Sequence, residues 1–164
     1  MAAGNTYTPL ATTTFASATT SYTFSSISGS YTDLILVINA GTASNNQDYE
    51  LQFNSDTATN YSCTFIRGNG TAADSGRSSS ISQIYIANSS STTLGADTVI
   101  VQLQNYSNTT TYKTVLARAN VPANAVQAIV GLWRSTAAIS TIKVACPVNM
   151  SIGTTMTLYG IAAA

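Results

Sequence analysis

The chemistry-bearing residues of this chain gather in one short stretch, Leu51 to Ser62, which reads LQFNSDTATNYS. Two carboxamides, Asn54 and Asn60, flank the carboxylate of Asp56, with hydroxyls between them. Oxygens at such spacing could ligate calcium. A good calcium site, however, takes about six to eight oxygen ligands and usually several carboxylates, and one aspartate offers little. The competing reading is a corner between two strands. There, Asn and Asp side chains hydrogen-bond backbone groups two residues on and fix a turn without any ligand. That reading is the stronger, and it assigns Phe53, Asn54, Asp56, Asn60 and Tyr61 to a structural corner with no metal.

Elsewhere the means for catalysis are thin. The chain has no histidine, which removes the commonest general base and metal ligand at neutral pH. Ser-His-Asp and Cys-His catalysis are therefore excluded in their usual forms. No glycine-rich phosphate loop occurs. Asp48 and Glu50 lie two apart and would share one face of a strand, as a carboxylate pair must; a solvated sheet face explains them as well. Cys63 and Cys146 both sit in strand-like runs. They are expected to be buried free thiols, since two cysteines without histidine do not make a zinc site. The expectation is a protein without catalytic residues or cofactor.

The elements that would carry these residues are short strands. Alternation is plain in SQIYIAN, where Ile84 and Ile86 face one way, and in DTVIVQLQNY, where Val99, Val101 and Leu103 share a face. Ten strands are expected, near 22–27, 33–39, 49–53, 61–67, 80–87, 98–106, 112–120, 125–133, 139–145 and 154–161. Polar turn compositions such as RGNGTAADSGR separate them. No sustained 3.6-residue apolar period appears. The pattern predicts an all-β, jelly-roll-like sandwich of about eight to ten antiparallel strands over residues 21–164, with Trp133, Ile139, Ile142 and Leu158 in its core. Residues 1–20 are uncharged and Thr/Ala-rich, and read as an extended N-terminal arm. Its anchors Tyr7, Leu10 and Phe15 would fill pockets on a neighbouring subunit.

Composition narrows the partners. Six basic and six acidic residues leave no net charge, and only 7% of the chain is charged. Ser and Thr occupy 47 positions and Asn 13. Without a basic stripe, nucleic acid is disfavoured. No apolar run approaches the roughly 20 residues a membrane helix needs. With no basic residue before Arg67 and a Thr/Ser-rich start, synthesis in a cytoplasm is expected. A near-neutral hydroxyl-rich surface tolerates close approach of other protein surfaces, so a homo-oligomer, most simply a trimer, is expected.

Four segments taken in order carry a resemblance: YTPLATTTFASATTSYTFSSISGSYTDLILVINA, LQFNSDTATNYSCTFIRGNG, GLWRSTAAISTIKV and TTMTLYGI. Together they resemble a set of small virion structural proteins of tailed phages, cyanophages among them. The family's corner falls on Phe53, Asn54, Asp56, Asn60 and Tyr61, although Ser55 stands where glycine is expected in many relatives. The resemblance implies a non-enzymatic virion building block, made in the host cytoplasm and resident in the particle. One form is a capsid decoration or cement subunit that contacts the major capsid protein. The alternative is a tail or fibre component with a carbohydrate-binding head, reading host sugars through aromatics such as Tyr85, Tyr106, Tyr112 or Trp133.

Overall fold

A computed structural model describes residues 6–87, 91–121 and 125–162. The expectations for 1–5, 88–90, 122–124 and 163–164 lie outside the described residues. Twelve strands account for the architecture, with no helix among the described residues. They are β1 (Tyr7–Thr14), β2 (Thr19–Phe24), β3 (Asp33–Ala40), β4 (Tyr49–Phe53), β5 (Tyr61–Gly68) and β6 (Ala73–Ile81). The second half supplies β7 (Ile84–Ala87), β8 (Asp97–Leu103), β9 (Lys113–Val121), β10 (Ala125–Trp133), β11 (Ile142–Met150) and β12 (Thr155–Ile161).

The strands form two antiparallel sheets that pack as a sandwich. One runs β1-β12-β3-β8-β9-β10-β5-β6 and the other β2-β11-β4-β7. Eight of the strands pair in a nested way: β1 with β12, β2 with β11, β3 with β8 and β4 with β7. The chain thus makes one long antiparallel ribbon. Pairing of β12 with β3 and of β11 with β4 rolls that ribbon up into the two sheets. Two hairpins, β5–β6 and β9–β10, are inserted into the ribbon and widen the larger sheet beyond β8.

Alternation explains why these segments are strands. In β3, Leu34, Leu36, Ile38 and Ala40 point into the sandwich, and in β8 Val99, Val101 and Leu103 do the same. Ile84 and Ile86 are buried from β7, and Trp133, Ile139, Ile142 and Leu158 all lie in the core. The sequence pattern is thereby realised, because a period of two puts one apolar set on one face. Lys113 breaks the rule: it is buried at the start of β9, with its ammonium donating to the carbonyls of Thr111 at 2.8 Å and Thr136 at 3.1 Å.

The expectation for the N-terminal segment is corrected. Residues 7–14 form β1, an edge strand of the chain's own large sheet, paired from Tyr7 opposite Ile161 to Thr14 opposite Thr155 with a shift of register at Leu10. Phe15 is buried in the core of the same chain and Leu10 packs against it. Of the three expected anchors, only Tyr7 stays exposed, edge-on to the Tyr159 ring. The extended backbone and the docking on a sheet edge were anticipated; the acceptor is the chain itself. The C-terminal strand offers that edge with the length to take seven residue pairs.

Candidate functional site

The corner at residues 53–61 joins β4 to β5, and Trp133 reaches it because the end of β10 pairs Trp133 with Tyr61. The indole N–H donates to Asp56 Oδ2 at 2.7 Å, and Asn60 Nδ2 donates to the same oxygen at 2.9 Å. The backbone N–H of Ala58 donates to Oδ1 at 2.9 Å. Burial alone pushes this carboxyl up. The donors from Asn60, Trp133 and Ala58 outweigh it, and they hold Asp56 below the usual carboxylate range. Tyr61 lies behind, stacked on Trp133 with centroids 6.1 Å apart. Its hydroxyl accepts the Phe53 N–H at 3.1 Å and faces the carbonyl of Asp56 at 3.1 Å. Phe53 completes the aromatic set, 5.5 Å from the Trp133 ring.

Asn54 ties the corner to a second loop. Its amide donates to the Ala138 carbonyl at 2.7 Å, while its oxygen accepts the N–H groups of Ser140 at 2.9 Å and Thr141 at 3.1 Å. The turn takes two consecutive left-handed residues, Asn54 at φ 51° and Ser55 at φ 56°. Asparagine visits that region readily and serine does not, so the glycine expected at 55 has a conformational reason. Chemically, the constellation is a clamp. It fastens β4, β5, β10 and the loop before β11, with both Asp56 oxygens committed to donors of the fold. The local turn bonds were legible in the sequence; the Trp133 and 138–141 partners, some 77 to 87 residues away, were not.

A second polar cluster had no sequence signal. Asp97, at the start of β8, is fully buried. Its carboxylate accepts from the Tyr49 hydroxyl at 2.8 Å and from the Ser91 N–H at 2.8 Å to Oδ2 and 3.1 Å to Oδ1. Burial pushes Asp97 up despite those two donors, and pushes Tyr49 far above the phenol range. The pair fixes the segment running from Ser91 into β8 over the end of β4. Glu50 lies on the small sheet and Asp48 just before it: burial, and then the nearby charge of Asp48, push the half-buried Glu50 up. Cys63 and Cys146 are buried free thiols, and burial raises both. Among the described residues no group of three or more Cys, Asp or Glu could hold a metal ion.

The aromatics expected to read sugars require correction. Tyr106 is fully buried and donates its hydroxyl to the Ser28 carbonyl, and Trp133 is a core residue. Large rings in strand-like runs serve the core unless a turn lifts them out. Tyr112 remains exposed just before β9, and Tyr85 is half-buried on β7 in the other sheet.

The surface that sequence reasoning missed is the outer face of the widened large sheet. Every outward position of β10 is aliphatic: Val126, Ala128, Val130 and Leu132. Val126 and Val130 are 61% and 54% exposed. Register continues the patch sideways, since Val130 faces Leu116 and Ala128 faces Ile66. Those two are 47% and 62% exposed. An open trough of about 720 Å³ runs along the β10–β5–β6 end of this face. The comparisons add no relative. No protein-family model and no curated protein matches the chain.

Proposed function

We propose that the chain is a non-enzymatic structural subunit of a tailed-phage particle, a head decoration or cement protein that acts as a homotrimer on the capsid. The virion assignment rests on the sequence resemblance. The structural observation that carries the assembly role is the outer face of β10, aliphatic at all four outward positions. Covering apolar surface is favourable by about 25 cal/mol per Å², so such a face is best explained by a protein that covers it. The remaining polar constellations support the same reading, because Asp56, Asn54 and Asp97 are spent on holding strands together. The nested pairing of the ribbon supports reading the sandwich as a jelly roll with two inserted hairpins, a plan found in viral capsid domains among others.

Locating the subunit in an image of the particle tests the proposal. Hundreds of copies on the head lattice support it. A few dozen copies at the tail would favour the tail or fibre alternative, and absence from the particle would overturn both. Burial of Tyr106 and Trp133 takes two rings from the glycan-reading surface that this alternative needs.

A further inference from the structure

The outer face of the large sheet has a chemical signature beyond its greasiness. Arg118 stands at an outward position of β9, in the middle of the aliphatic patch. Register places it directly between Ala128 of β10 and Ile100 of β8, and Ala128 is in turn opposite Ile66. Arg118 makes no ion pair among the described residues, whereas Arg67 pairs with Asp74. None of the outward positions on β8, β9, β10, β5 and β6 is acidic. They are Thr98, Ile100 and Gln102, then Thr114, Leu116, Arg118 and Asn120, then the four aliphatics of β10. On the far side come Ser62, Thr64, Ile66 and Gly68, paired with Ser79, Arg77, Ser75 and Ala73. Over these five strands the outward positions carry two arginines, Arg118 and Arg77, and no acid; the outward acid of the sheet, Asp33, stands at the start of β3, beyond β8.

We propose that this face docks on a different protein of the particle, which presents an aliphatic surface with a carboxylate opposite Arg118. The inference rests on the assembly role and names the surface and the chemistry of its partner. Two arguments select a different protein over a second copy of this chain through the same face. A two-fold contact centred on β9 and β10 would bring like charges together over strands whose outward positions hold no acid to separate them. Covering Arg118 with an aliphatic surface alone would also strand a guanidinium away from water, so the partner must supply the anion. An arginine flanked by aliphatic side chains, here Ala128, Ile100 and Leu116, is the arrangement in which one charged hydrogen bond carries much of an interface's energy.

The test uses particles assembled in the host without this subunit, to which purified full-length protein is added back. The readout is the number of bound copies as protein concentration is varied. Val130→Lys puts a charge in the centre of the contact and is expected to weaken binding about tenfold or more. Arg118→Glu is expected to weaken it about thirtyfold or more, because two carboxylates would then face each other. Glu50→Gln, on the other sheet, serves as the control and leaves binding unchanged. Thermal melts of each variant check that the sandwich remains folded, as exposed positions should allow. A photo-crosslinking residue at position 130 is expected to capture a capsid segment that contains Asp or Glu. Wild-type protein that fails to bind particles overturns the assembly role and this inference together. Wild-type binding with both face variants equally tight overturns the face alone, and so does crosslinking at 130 to a second copy of this chain.

Discussion

Asp56 concentrates much of the corner in one side chain, since its two oxygens accept three donors, two from its own turn and one from the end of β10. Replacing it by alanine leaves the buried Trp133 indole N–H without an acceptor, and is expected to cost about 2–4 kcal/mol in chemical denaturation. Tyr61→Phe removes one hydroxyl that meets the Phe53 and Asp56 backbone, and should cost about 1–2 kcal/mol by the same measurement. Because the donors are protein groups, chelator should leave the melting temperature unchanged. A melting temperature that falls with chelator and returns with calcium would instead assign the corner to a metal. Acid separates the two committed aspartates. The folded Asp56 carboxyl lies below its ordinary value, so its stabilisation is complete above the usual carboxylate range and is lost as pH falls through the folded value. Asp97 is raised, so its contribution has the opposite sign: stability falls as pH rises from the ordinary value through the folded one. Thermal melts between neutral pH and pH about 3 should therefore show a shallower acid loss in Asp56→Asn and a steeper one in Asp97→Asn.

At the scale of elements, β1 and β6 show where reading a sequence stops. Tyr49–Phe53 was legible to the residue because its apolar residues alternate, and Ala125–Trp133 because a nearly continuous apolar run of strand length is bounded by turn residues. β6 reads ADSGRSSSI, with no apolar alternation at all; its place at the sheet edge comes from pairing with β5, including the Arg67–Asp74 ion pair. Pairing is a tertiary fact that overrides propensity. β1 was legible as extended chain with anchors, while the identity of its acceptor was not, because own edge and neighbour's edge demand the same sequence. The structure changes the consequence of truncation. Removing residues 2–18 strips a strand from β12 and takes Phe15 out of the core, so the sandwich itself should lose stability. Phe15→Ala alone is expected to cost about 3 kcal/mol or more, read from denaturant melts, and wild-type stability in that variant would return β1 to the status of a passive arm.

For the whole molecule, the nested ribbon makes folding a long-range affair. The first strand closes on the last, Tyr7 against Ile161, and the same is true of each inner pair in turn. Chains whose contacts are this distant in sequence fold slowly, so refolding from denaturant is expected on the order of seconds or slower. With no net charge and a pI near 6.0, the isolated protein should also be least soluble near that pH, as light scattering against pH would show. The two thiols turn this architecture into a pair of clocks. Cys63 sits in β5 of the large sheet and Cys146 in β11 of the small one, both buried and both raised by that burial above the ordinary thiol value. An alkylating agent marks either sulfur slowly while the fold is closed, and faster once the strands around it have parted. Mass spectrometry of briefly labelled protein would time the two openings separately. Equal rates would mean that the sheets open in a single event, and a faster mark at one position would tell which side of the roll comes undone first.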